Sequence, residues 1–276
     1  MPIFKKRLYL AFCLCLLLLG MVACGRNRAG SILKEAEKLI EQEEYDKALC
    51  LLDSLDRNYP GEISTRKEAL KVRKKLYADQ CSSRLSEIPS QLDSLRQLEE
   101  NLRQKVKLSS NGDEYYPIDE QINSLPQRGK ITLKLKCDTL GFATIEVIYF
   151  GTKLLHYESL AFDSGDSIVQ SKPNPIGSAL NYTSMIDQDH YQILTIPPRD
   201  SQKLLHHLIL LPQEERLNIA LFSGKGNCLY REKLSHHKTL YLKSLAQFAE
   251  ILQKQYDLRQ EIHRREMYLQ SKDSLH

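Results

Sequence analysis

The sequence predicts an α+β protein, and three observations predict it. Apolar residues recur at helical spacing from Ser31 to Leu108, alternate with period two from Lys130 to Lys233, and return to helical spacing from Ser235 onward. The expected architecture is a set of N-terminal long helices, a β-rich sandwich or open barrel, and a long C-terminal helix.

The first stretch is an address. Lys5, Lys6 and Arg7 form a basic head, Leu8 to Leu19 is an uncharged apolar run, and Gly20-Met21-Val22-Ala23-Cys24 follows. This is the pattern of a secretory signal, and the run is shorter than the roughly 20 apolar residues that a spanning helix needs. Residues 1–23 are expected to be a signal peptide. The Ala23-Cys24 ending resembles the lipobox of bacterial lipoproteins. The resemblance implies cleavage before Cys24, acylation of Cys24, and attachment to a lipid bilayer. Two or more acyl chains hold a protein durably, each buried CH₂ contributing about 0.8 kcal/mol. Lipoproteins exported to the Bacteroidetes cell surface tend to carry acids just after the Cys. Here Gly25-Arg26-Asn27-Arg28 has none, nor the Asp that retains some Gram-negative lipoproteins in the inner membrane. The resemblance therefore implies the outer membrane, with the protein facing the periplasm.

Composition bounds the rest. Losing Lys5, Lys6 and Arg7 from 39 basic residues leaves 36 against 35 acidic, a net charge of +1. That balance gives no electrostatic reason to expect nucleic acid. Cys50, Cys81, Cys137 and Cys228 remain beside Cys24, in a compartment that oxidises thiols. Their wide spacing resembles no metal site. Buried free thiols or one bridge fit a chain with a real core better than a disulfide scaffold does. Cys137 at the end of one strand and Cys228 at the start of another are the candidate pair.

Residues 24–30 read as a polar tether and residues 31–108 as helical. Ile32, Leu33, Ala36, Leu39 and Ile40 share one face; Tyr45, Ala48, Leu49, Leu52 and Leu55 repeat the stripe, and Pro60-Gly61 stops it. Within 31–60, Ala36, Leu39, Tyr45, Ala48, Leu52 and Pro60 stand at the spacing of a tetratricopeptide (TPR) repeat, which this hairpin resembles. Glu43 departs from the pattern where Gly is usual, and Leu55 where a small residue is usual. A repeat array needs about three copies, and no second copy is visible, so a hairpin is expected and a peptide-binding superhelix is not. Over 85–106, Leu85, Ile88, Leu92, Leu95, Leu102 and Val106 follow heptad spacing, with Glu99 breaking one position. Such a stripe fits a coiled coil and a packed amphipathic helix equally. Pro89 inside it predicts a kink or a new helix start.

Residues 109–129 read as a linker, because Asn111-Gly112, Pro117, Pro126 and Gly129 break regular structure. Residues 130–234 form the β-rich region. Ile131, Leu133, Leu135 and Cys137 alternate with Lys130, Thr132, Lys134 and Lys136, a half-buried strand. Further strands are expected over Phe142–Phe150, Leu154–Leu160, Ile168-Val169, Leu180–Ile186, Tyr191–Ile196, Leu217–Phe222 and Cys228–Lys233. A short helix is expected over Ser201–Leu211. Residues 235–276 read as a C-terminal helix, with Ser235 as N-cap and a stripe of Tyr241, Leu245, Phe248, Leu252, Tyr256 and Ile262. Packing the two long helices against each other, with Leu92, Leu95 and Leu102 facing Leu245, Phe248 and Leu252, would make a stalk with the β region at its far end.

Constellations for chemistry are weak. His206-His207 and His236-His237 are adjacent pairs, and neighbours on a helix point about 100° apart, which suits joint metal ligation poorly. No cofactor or metal is expected. There is no Gly-x-Ser-x-Gly. Asp189-His190 near Ser184, and the carboxylates Asp163 and Asp166, are the remaining catalytic candidates. Asp with Ser and Gly is first of all turn chemistry, and Ser223-Gly224-Lys225-Gly226-Asn227 reads as a hairpin turn rather than a phosphate loop. Five Asp-Ser/Thr-apolar triplets resemble the O-glycosylation signal of Bacteroidetes periplasmic proteins. Those on helix stripes, Ser54 and Ser94, would be masked, which leaves Thr139, Ser167 and Ser274.

The expected function is a non-enzymatic one: a membrane-anchored structural or protein-interaction module of the cell envelope with an envelope protein as partner. The alternative is an enzyme modifying envelope polymers, with its site in the β-rich region.

Overall fold

Alternation of side chains is what makes the sheets. The computed structural model describes residues 28–118, 126–165 and 167–273. The chain divides into two compact units, one made of the described residues up to Glu87 together with those from His263, the other Ile88–Ile262. The first boundary lies one residue before Pro89.

In the first unit, helix α1 covers 28–41, α2 Tyr45–Asn58, and α3 Ile63–Arg103 begins here. Helix α1 starts earlier than the polar sequence suggests: Arg28 is already helical, Ala29 is fully buried and Ser31 Oγ donates to Arg28 O at 3.0 Å. Residues 28–30, read as part of the tether, are therefore helical. Ala36, Leu52, Leu55 and Ala69 form a small core, with Ile32, Leu33, Leu51 and Val72 against it. The α1–α2 turn explains the first departure from the repeat pattern. Glu43 has φ 62°, and Glu44 N donates to Leu39 O while Glu43 N donates to Ile40 O. These are the two bonds of a Schellman cap, whose left-handed position normally takes glycine. A glutamate there costs about 1–2 kcal/mol. Arg73 reaches Asp53 at 2.9 Å and Asp56 at 3.2 Å, and Arg66 reaches Asp56 at 3.0 Å, tying α3 to α2.

In the second unit, ten strands among the described residues form two antiparallel sheets. Strands β1 (Val106–Leu108), β2 (Glu114–Pro117), β3 (Lys130–Asp138), β4 (Ala143–Gly151), β7 (Asn181–Ile186) and β8 (Asp189–Ile196) make one sheet in the order β1-β2-β3-β4-β8-β7. Strands β5 (Ser159–Asp163), β6 (Ile168–Gln170), β9 (Asn218–Phe222) and β10 (Cys228–Lys233) make the other, in the order β10-β9-β5-β6. Helix α4 is Pro198–Leu210 and α5 is His236–Asp273. The protein is α+β. Strand β3 keeps the alternation read from its sequence, with Ile131, Leu133, Leu135 and Cys137 buried. These residues share one core with Ile145 and Val147 of β4, Leu160 and Phe162 of β5, Ile219 and Leu221 of β9, and Leu204 and Leu208 of α4.

Several expectations are corrected. Residues 106–117 hold a β-hairpin: Leu108 pairs with Tyr115, and Asn111-Gly112 is its turn, with Gly112 at φ 74°. The breakers that suggested a linker are turn chemistry, and the heptad helix stops at Arg103, before Val106. Pro89 neither ends nor restarts α3; the burial of Ile88 and Leu92 on either side holds the helix through it. The third strand begins at Ser159 rather than Leu154. Helix α4 begins at Pro198 rather than Ser201, with Pro198 in the first turn where its missing N–H is no loss.

The stalk is corrected in part. Leu245, Phe248 and Leu252 lie in the core shared with the strands, so this part of α5 covers the sheets, while further along α5 runs antiparallel to α3, with Arg265 Nη1 3.7 Å from Cys81 Sγ. Leu102 packs against that same core, and Glu99 Oε2 accepts from Gln255 Nε2 at 3.0 Å. The residue that broke the heptad is therefore met by a glutamine on α5.

Helix α5 presses on the β3–β4 turn. Gly141 has φ +88°, and a Cβ there would stand 2.3 Å from Ala249 O and 2.4 Å from Gln253 N. Gly112, at φ +74°, has nothing within 4 Å. Gly112→Ala is expected to cost about 1–2 kcal/mol, the left-handed penalty alone. Gly141→Ala adds a backbone clash and is expected to cost about 2–4 kcal/mol. Urea unfolding of the two variants measures the difference; equal losses would show that α5 does not press on this turn.

Candidate functional site

Beside the pressed turn lies a cleft between the β3–β4 turn, α4 and α5. Asp138 builds the turn: its Oδ1 accepts from Leu140 N and Phe142 N, both at 2.9 Å. Ser201 Oγ donates to Ala143 O at 2.7 Å and pins α4 against β4. The cavity that results is about 220 Å³. Phe142, Leu205, Ile209, Ala246 and Ala249 give it apolar walls, and Gln202, His206, Glu250 and Gln253 line its polar side. Small-molecule sites usually occupy about 300–1,000 Å³, so this one suits a single large side chain of a partner better than a cofactor. The large apolar stripe of α5 was visible in the sequence; Ala246 and Ala249, whose smallness opens the cleft, were not part of it.

A second cluster gathers at the end of α4. Ser167 Oγ lies 3.5 Å from His207 Nδ1 and 3.2 Å from Ser164 Oγ. Burial pushes the His207 pKa below its ordinary 6.5, with Asp163 pulling it the other way. A serine nucleophile needs its histidine's second nitrogen held by a carboxylate. Here His207 Nε2 is buried without a hydrogen-bond partner among the described residues. Asp163 Oδ1 accepts instead from Gly165 N at 2.8 Å, as turn chemistry, and Asp163 Oδ2 lies 3.9 Å from Arg231 Nη1. Among the described residues the relay is not assembled.

The other sequence candidates scatter. Asp189 Oδ1 accepts from Arg128 Nε at 2.9 Å and Nη2 at 2.7 Å, while His190 stands across from Met185 and Ser184 across from Tyr191. Asp166 lies outside the described residues, as do Cys24 and Ser274. His206 and His207 are on α4 and His236 and His237 on α5, and among the described residues no three His, Cys, Asp or Glu side chains gather to hold a metal. Thr139 and Ser167 are exposed. Ser94 is exposed too, correcting the expectation that its stripe would mask it: Leu92 and Leu95 turn inward and leave it outside.

Of the two readings of the cysteines, free thiols hold and the candidate Cys137–Cys228 pair is corrected. Cys50, Cys81, Cys137 and Cys228 are free thiols. Cys137 is buried in the six-stranded sheet and Cys228 exposed in the other. Strand β10 comes near β3 at its opposite end, where the Tyr230 hydroxyl meets the Ile131 backbone. Cys137 lies about 20 Å further along, at roughly 3.4 Å per residue.

On the outer face of the six-stranded sheet, Lys136 bridges Glu114 at 3.1 Å and Glu146 at 3.3 Å. Burial and the Glu114 carboxylate push Tyr116 up to about 12. This is cross-strand pairing that fixes three neighbouring strands.

With this geometry in place, the chain was compared with known proteins: no family model, no curated protein and no solved structure matches it.

Two measurements follow. Iodoacetamide on the native protein should modify Cys50 and Cys228 readily and Cys137 after denaturation; early labelling of Cys137 would contradict its burial. The second concerns His207. The unfolded chain binds a proton near the ordinary 6.5 that the half-buried imidazole of the folded chain resists. Its contribution to stability is therefore full above that pH and falls as the pH drops below it. His207→Gln should flatten the loss of stability between about pH 7 and pH 5 relative to the parent; parallel pH profiles would refute it.

Proposed function

We propose that this protein is a lipoprotein of the cell envelope. It is anchored to the outer membrane through acylated Cys24, faces the periplasm, and acts as a structural or protein-interaction module. The observation that carries the reading is the run from Lys5 to Cys24: basic head, short apolar stretch, Ala23, then Cys24. Among the described residues no helix is long and apolar enough to cross a membrane, which is consistent with attachment by lipid. The interaction role is supported by the cleft between α4 and α5, sized for a partner's side chain, and by the absence of an assembled relay among Ser184, Asp189, His190, Asp163 and His207. The partner is an envelope protein docking through an apolar side chain at that cleft.

The experiment is growth with labelled palmitate and fractionation of the envelope. The parent should take up label and sediment with membranes. Cys24→Ala should lose the label and leave the membrane fraction or remain as precursor. Label and fractionation unchanged in Cys24→Ala would sink the reading.

A further inference from the structure

Helix α3 carries a face that the first unit does not bury. Its inward side, Ala69, Val72 and Leu76, meets α1 and α2 or is otherwise enclosed. On another side, Ile63, Leu70 and Tyr77 are 66%, 52% and 43% exposed. They stand seven residues apart, so they form one line that drifts by only about 20° per step. Lys67 and Lys74 lie between them on the same line, both exposed. Isolated exposed apolar residues mean little, but three in register with lysines between them form an interfacial pattern: rings and branched chains to insert, long amines to reach the surface.

The charge is local. Between Ile63 and Ala78 stand Arg66, Lys67, Lys71, Arg73, Lys74 and Lys75 against Glu68, in a chain whose overall balance is close to neutral. Arg66 and Arg73 are taken by Asp56 and Asp53, and Lys71 by Glu68 at 2.9 Å. No ion pair engages Lys67, Lys74 or Lys75 among the described residues. An open cleft of about 290 Å³ lies along the same side, lined by Asp56, Ile63, Arg66, Lys67, Leu70 and Arg73. A basic amphipathic face of this kind is complementary to anionic headgroups.

Chain length says which anionic surface is within reach. From Cys24 to Arg28 there are four Cα–Cα steps, at most about 14 Å. Helix α2 then returns along α1 through the short turn at 42–44, as closely connected helices do. The start of α3 at Ile63 is thereby brought back to the end of the hairpin where α1 begins.

We propose that the Ile63, Lys67, Leu70, Lys74, Tyr77 face of α3 lies on anionic phospholipid of the membrane that holds the anchor, a second contact that orients the protein on the bilayer. This rests on the lipoprotein reading for its geometry, but the face can be tested without the acyl chain.

The experiment uses the mature chain carrying Cys24→Ala, which cannot be acylated, with vesicles of phosphatidylcholine alone or mixed with phosphatidylglycerol. The protein contains no tryptophan, so Tyr77→Trp supplies a single reporter. Expected are co-sedimentation with the phosphatidylglycerol vesicles that weakens in high salt, a blue shift of the tryptophan emission, and quenching by brominated acyl chains. Lys67→Glu with Lys74→Glu should weaken partitioning at least about 10-fold, and Leu70→Ser should abolish the quenching, both with unchanged circular dichroism since these side chains are exposed. Absence of vesicle binding, or binding unaltered by these substitutions, overturns the proposal. So does concentration-dependent self-association that the same substitutions abolish, which would make the face a protein interface. Failure here with Cys24-dependent palmitate labelling intact would remove the docking face alone. Vesicle binding without such labelling would remove the anchor alone.

Discussion

The second unit depends on a polar knot buried between its strands. Tyr157, Asn181 and Gln192 are all fully buried. The Tyr157 hydroxyl sits 3.0 Å from Val147 O and 2.9 Å from Gln192 O, and donates to one of them at a time. The Tyr157 carbonyl accepts from Asn181 Nδ2 at 2.8 Å and Gln192 Nε2 at 2.7 Å. Gln192 Nε2 also donates to Asn181 Oδ1 at 3.0 Å, and Asn181 Nδ2 to Asn174 O at 2.8 Å. Tyr157 lies where the chain leaves β4 for β5, just after His156 at φ 58°. The bonds thus hold the crossover between the sheets to β4, β7 and β8. Buried polar groups are expensive when unpaired, so few alternative crossovers satisfy this set. The knot selects one arrangement where apolar packing alone would tolerate several.

Much of the fold could be read locally, and the failures share a cause. Strand β3 was legible because its alternation is complete over Lys130 to Cys137, and α2 because its stripe is uninterrupted. The β1–β2 hairpin was hidden because Asn111-Gly112 and Pro117 look the same in a linker and in a turn; the signal for a strand was the Tyr115-Tyr116 pair between them. Pro89 signals a break locally, yet the helix is held by burial of residues that flank it. How α5 divides its length between the sheets and α3 depends on partners as distant as Glu99 and Gly141, and no periodicity encodes that choice. The cleft beside Gly141 was invisible for the same reason: its walls come from β4, α4 and α5, and its shape depends on two alanines that carry no pattern of their own.

The two units differ in what they contribute to a functional reading. The second holds the cavity and the histidine–serine cluster, and its polar side chains are mostly spent on structure: Asp163 and Asp138 on turns, Asp189 on Arg128, Lys136 on its two glutamates. The first is small in core and rich in charge. Its hairpin resembles one repeat of an array, yet it pairs with α3 rather than with a second copy, so the surface it offers is a helix face and not a superhelical groove.

The burial of Cys137 has a temporal consequence. Pairing of β3 with β4 begins the burial of its thiol, and in the finished core desolvation pushes its pKa far above the ordinary range. An oxidant can reach it before that core closes and hardly at all afterwards. Under oxidising conditions the folding chain runs a race between core formation and sulfur chemistry. The partner of Cys137 is Ala143, across the turn built by Asp138. Hairpins this local close in about 1–10 µs, whereas disulfides form over seconds or longer. The brevity of that turn gives the sheet a lead of several orders of magnitude. The order in which events happen starts the burial of the sulfur well before disulfide chemistry can engage it.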